Sequence, residues 1–115
     1  MAKRRGTKIA LITDYNEEKD EFERKEYKIP FIKGRMLEKA LELQEEIEAG
    51  LTEKAIFYRL IDFVVDDVFN GAFTKDDLLD GLIIDEIMDV LQGIFYDALG
   101  VDKKQVASEK IKKGK

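Results

Sequence analysis

The chain has no cysteine, no histidine and no tryptophan, and it has one proline and one serine. Without cysteine there is neither a disulfide nor a thiolate metal site, which fits a reducing compartment. Without histidine, the commonest general base and the commonest transition-metal ligand are missing as well. The one serine, Ser108, lies in a lysine-rich segment with nothing to activate it. No apolar run approaches the length of a membrane span, and Met1-Ala2-Lys3-Arg4-Arg5-Gly6 lacks the apolar stretch that follows the charges of a signal peptide. No glycine-rich loop precedes a helical segment: Gly50, Gly71, Gly81 and Gly100 stand at the ends of such segments, as punctuation. Catalysis, cofactor binding and membrane insertion are therefore not expected, and no buried carboxylate pair stands out to carry acid and base chemistry.

Aspartate and glycine cluster closely enough to require testing for a calcium loop. With Gly81 as the loop's glycine, Leu78 and Ile87 fill positions that need oxygen ligands; with Gly71, Val68 does the same, and Asp77 would have to stand in for the bidentate glutamate. Both alignments fail. Asp62, Asp66 and Asp67 read as a solvated helix face rather than a magnesium site.

What is present suits a single domain. The chain has 115 residues, 39% charged and 44% hydrophobic, enough for one modest core under a well-solvated surface. Charge is uneven: residues 1–8 carry +4 and residues 103–115 carry +5, which against −5 overall leaves −14 on residues 9–102. Such a body repels phosphate backbones, so nucleic acid is an unfavoured partner and the basic ends read as solvated tails.

Lys8–Thr13 is a short β-prone run, and Tyr27, Ile29 and Phe31 alternate at the end of a second one. A hairpin or extended segment over 8–31 is expected, ended by Pro30, which cannot donate to a ladder. Its edge beside Tyr27, Ile29 and Phe31 is a candidate place for a partner strand. Helices follow over 35–99. The first runs from Arg35 to Ala49, with Met36, Leu37, Ala40, Leu41, Leu43, Gln44 and Ile47 as its apolar stripe. The second, capped by Thr52, runs from Glu53 to about Phe69 and ends at Asn70-Gly71, both tolerant of positive φ. Thr74-Lys75-Asp76-Asp77 approximates a capping box for a short helix, and the last long helix spans Ile84–Leu99, where Gly93 marks a candidate close crossing. The expected fold is mainly α, a small bundle of three long helices and one short one in a domain 1–102, with a disordered lysine-rich tail at 103–115. For the aromatics two readings stand: core packing, or for Tyr58, Phe69 and Phe73 an exposed patch that receives a partner helix.

Phe63-Val64-Val65, Val68-Phe69-Asn70, Phe73-Thr74, Asp77-Leu78-Leu79 and Asp80-Gly81-Leu82 resemble the central motif of the tail assembly chaperones of long-tailed phages and prophages of Gram-positive bacteria. Tyr27 and Pro30-Phe31-Ile32-Lys33-Gly34-Arg35 resemble that family's second signature, with Lys33 where a second proline is usual and Ala72 where a polar amide is. The resemblance covers roughly 27–99. It implies a non-enzymatic protein of the host bacterial cytoplasm that coats the tape measure protein, helps recruit the major tail protein, and is absent from the mature virion. It also implies a longer product made by ribosomal frameshifting; Lys112-Lys113-Gly114-Lys115 is an ending that an A-rich slippery stretch could encode, which the gene and not the protein sequence shows. Tyr27, Pro30, Phe31, Arg35, Phe69, Phe73 and Leu82 are read as partner-facing or motif-organising. The rival readings are an acidic adaptor or nucleic-acid-mimicking inhibitor, which would lose affinity steeply with salt, and a small regulator acting through its basic ends. A homo-oligomer stays open.

Overall fold

The computed structural model describes residues 6–100. The expectations for the basic segments 1–5 and 103–115 lie outside them.

Two antiparallel strands, β1 (Thr7–Asn16) and β2 (Glu21–Ile29), form a hairpin in which Ile9 faces Tyr27 and Leu11 faces Lys25, with a register break between Ile12 and Asp14. The period of two places Thr7, Ile9 and Leu11 on one side, each under 9% exposed, and these side chains are the sheet's share of the core. β2 stays open to solvent along most of its length, and it ends at Ile29, immediately before Pro30.

Four helices follow: α1 (Gly34–Glu48), α2 (Glu53–Asp62), α3 (Lys75–Gly81) and α4 (Ile87–Leu99). Local chemistry sets most of their ends. Thr52 Oγ1 accepts from the Ala55 amide at 3.1 Å to start α2. At α3 the capping box is complete: Asp77 N–H donates to Thr74 Oγ1 and Thr74 N–H to Asp77 Oδ2, both at 3.0 Å. The bond from the Thr74 amide to the Asp77 carboxylate, followed by the Thr74 hydroxyl, holds its pKa below the usual range.

α2 does not continue as one helix to Phe69. Phe63–Val68 form a π-helical segment, and Phe69 N–H reaches Val64 C=O at 3.0 Å. The reason lies in burial. Phe63, Val64, Val65 and Val68 are all at most 7% exposed, and the segment touches α1, α2 and α4. Consecutive apolar residues need burial on several sides, and the wider turn accommodates it. Asn70 (φ 50°) and Gly71 (φ 76°) then reverse the chain in left-handed conformations, and Gly71 N–H closes onto Val65 C=O at 2.8 Å.

The mainly α bundle of three long helices is thereby corrected. Of the described residues 54% are helical and 20% are in strands, an α+β arrangement in which β1 packs on α3 and α4. The last helix starts at Ile87 rather than Ile84. Glu86 Oε2 accepts from the Ile83 amide at 3.1 Å, holding Ile83–Glu86 as a turn and leaving Ile84 88% exposed. Gly93 has open space where a side chain would lie; among the helical glycines the close approach is at Gly81, whose Cβ would stand 2.8 Å from Leu11 Cβ.

Candidate partner-binding site

The seven residues singled out in the sequence separate by burial. Phe69, Phe73 and Leu82 are 3%, 4% and 7% exposed, and Tyr27 is half-buried. Tyr27 reaches in from β2 to place its ring 4.8 Å from that of Phe73, which lies 5.2 Å from Phe69. Both distances suit tilted aromatic packing. The two stretches that carry the resemblance, far apart in the chain, thus meet through three tilted, packed rings, with Lys25 Nζ 5.2 Å from the Tyr27 ring centroid. Leu82 leaves α3 in an extended conformation, which drives its side chain inward.

Pro30, Phe31 and Arg35 lie outside. They occupy the corner between β2 and α1, where Phe31 and Arg35 line a groove of about 310 Å³ whose opposite wall is Asp67, Val68 and Asn70 from the end of the π-helical segment. Phe31 is 47% exposed. The buried rings lie behind the turn that makes one wall, and Phe31 and Arg35 belong to the other, with Pro30 just outside it. Tyr58, the third aromatic for which an exposed patch was expected, is 38% exposed, with Lys75 Nζ 4.3 Å from its ring centroid.

Two bidentate ion pairs set the frame. Arg24 Nη1 and Nη2 donate to the two oxygens of Glu86 at 3.0 and 3.1 Å, tying the hairpin to the turn before α4. The Arg24 hydrogen bonds lower the Glu86 pKa, with the Ile83 amide adding to them against the opposing effect of partial burial. Arg59 Nε and Nη2 donate to Glu46 at 2.9 and 2.8 Å, locking α2 against α1 and lowering the Glu46 pKa. Thr7 Oγ1 donates to Asp97 Oδ2 at 2.9 Å, joining β1 to α4. Among the described residues no cluster of carboxylates has the geometry to hold a metal ion.

Sequence reasoning missed part of the exposed apolar surface. Leu37 and Leu41, grouped with the buried stripe of α1, are 43% and 46% exposed, while Ala40 and Leu43 are the residues inside. The signal was the width of the stripe: positions 36, 40, 43 and 47 already fill one helical face, and 37 and 41 form a second row beside it. At the hairpin tip Tyr15 and Phe22 stack at 5.2 Å, and Ile83, Ile84 and Met88 form another exposed apolar group. The sheet has only β1 and β2, so each strand keeps one unpaired edge among the described residues.

No helix among the described residues is long and apolar enough to cross a membrane. Neither curated proteins nor solved structures yield a match. The family model for phage tail chaperone proteins does match, over residues 7–115, which takes in the hairpin, the aromatic junction and all four helices. The chain belongs to the phage tail chaperone protein family and is a tail assembly chaperone.

Proposed function

We propose that this chaperone binds the tape measure protein and helps recruit the major tail protein, the latter through a longer frameshifted form, in the host bacterial cytoplasm and without remaining in the virion. The observation that carries this reading is apolar surface left open on an acidic body: Phe31, Leu37 and Leu41, each more than two-fifths exposed, lie on one short stretch of chain. Exposed apolar side chains can cover apolar segments of a client, while the negative charge of the body keeps loaded complexes apart. Among the seven residues, Pro30, Phe31 and Arg35 face the partner, and Tyr27, Phe69, Phe73 and Leu82 organise the turn behind them.

The test is co-expression with the tape measure protein of the same genome. The client is expected to stay soluble and to copurify, and a folded Phe31→Asp, Arg35→Glu variant is expected to lose it. Aggregation of a well-expressed client beside a well-expressed chaperone would overturn the reading in favour of the acidic adaptor.

A further inference from the structure

The outer face of α1 is a shallow groove of about 380 Å³ running from Gly34 to Glu45, roughly 17 Å along the helix axis. Its floor is the Leu37 and Leu41 row with the bare backbone of Gly34 beside it, where a Cβ would meet nothing within 4 Å. Its wall is acidic throughout: Glu38, Glu42 and Glu45 line it, and no lysine or arginine does. These three carboxylates make no ion pair among the described residues, unlike Glu46, which Arg59 occupies. The charges of α1 also run against its dipole: the first turn has no acid and the last turn no base, while Glu45 and Glu48 crowd the negative end. Apolar ridges at i, i+4 spacing are the surface that another helix packs into.

We propose that this face docks an amphipathic helix whose apolar stripe lies over Leu37 and Leu41 and whose lysines or arginines lie along Glu38, Glu42 and Glu45. This rests on the partner-binding role proposed above and names the chemistry of the segment that is bound. Charge selects the occupant. A second copy of the chain would set the same acidic wall against itself in either orientation. The chain's own residues 103–115 are basic but hold no pair of large apolar residues at i, i+4 to lie on Leu37 and Leu41.

The test uses the full chain and a labelled helical peptide of leucine and lysine, about 18 residues or 27 Å long, with leucines at three-and-four spacing. Fluorescence anisotropy is expected to show binding at least about tenfold tighter than for the same composition scrambled, and none for the peptide with glutamate in place of lysine. A Leu37→Asp, Leu41→Asp variant, folded because both sites are exposed, should lose that advantage. A Glu38→Lys, Glu42→Lys, Glu45→Lys variant should prefer the glutamate peptide, whereas Asp76→Lys, Asp80→Lys should change nothing. Equal binding by the leucine variant, or an unchanged preference in the charge-swapped one, would overturn the assignment. So would a peptide of residues 103–115 that displaces the probe from wild type but not from the leucine variant, since the chain's own tail would then be the occupant. Copurification of the tape measure protein with the leucine variant would remove this face from client binding and leave the chaperone reading standing; failure with wild type too would remove that reading instead.

Discussion

Replacing Phe73 and Phe31 by alanine in turn separates a buried aromatic from an exposed one. Phe73 is 4% exposed and packs its ring between Tyr27 at 4.8 Å and Phe69 at 5.2 Å. Deleting a buried phenylalanine side chain costs about 3–5 kcal/mol, and each aromatic pair contributes about 0.5–1.5 kcal/mol beyond the area it buries. For a domain whose whole stability is of order 5–15 kcal/mol, Phe73→Ala should leave a folded but fragile protein. Phe31→Ala is the contrast: the ring is 47% exposed, so about half of the 1.5–3 kcal/mol of full burial is at stake. Urea denaturation followed by far-UV circular dichroism reads both as shifts in midpoint at constant slope. A double-mutant cycle of Tyr27→Ala with Phe73→Ala should return a coupling of about 0.5–1.5 kcal/mol. A Phe73→Ala cost below about 1 kcal/mol, or a coupling of zero, would refute the placement of these rings as the junction between hairpin and turn.

Two glycines should fail for different reasons. Gly81→Ala drives a Cβ to 2.8 Å from Leu11 Cβ and should cost about 1–3 kcal/mol, less once Leu11 is itself replaced by glycine, which removes that Cβ. Gly71→Ala meets open space but sits at φ 76°, so its cost of about 1–2 kcal/mol should be indifferent to any neighbour's size. Thermal melts of the single and double variants distinguish the two. The Arg24 and Glu86 pair should appear in the acid limb of stability. Because the folded-state pKa of Glu86 is depressed, its contribution is complete above the unfolded carboxylate pKa and is lost as pH falls through the lower folded value. Melting temperatures across that acidic window should fall less steeply for Glu86→Gln than for wild type, and parallel curves would contradict the assignment.

Much of the local architecture was legible. The Thr52 and Thr74 caps, the reversal at Asn70-Gly71 and the strand end before Pro30 depend on groups within a few residues of one another, and sequence displays such groups directly. The apolar residues between Phe63 and Phe69 were visible as a buried set, but not as part of a π-helical segment. An α-helical reading places some of them outward, and only the surroundings of α1, α2 and α4 make burying Phe63, Val64, Val65, Val68 and Phe69 together favourable. The weight of the hairpin was hidden for the opposite reason: β2 is open to solvent along most of its length, so it carries no clean alternation, and β1 shows it through just Thr7, Ile9 and Leu11. The start of α4 was misplaced because Glu86 is held by an amide three residues back and by Arg24 on the hairpin.

By itself, then, the sequence determined an acidic body, most of its helical segments and their caps and stops, because each rests on composition or on hydrogen bonds between near neighbours. Tertiary structure alone decided which apolar residues go into the core and which stay exposed. Phe73 goes inside because Tyr27 arrives from the hairpin to cover it, with Phe69 packed beside it; Leu37 and Leu41 stay outside because Ala40 and Leu43 already fill the face of α1 that the core can receive.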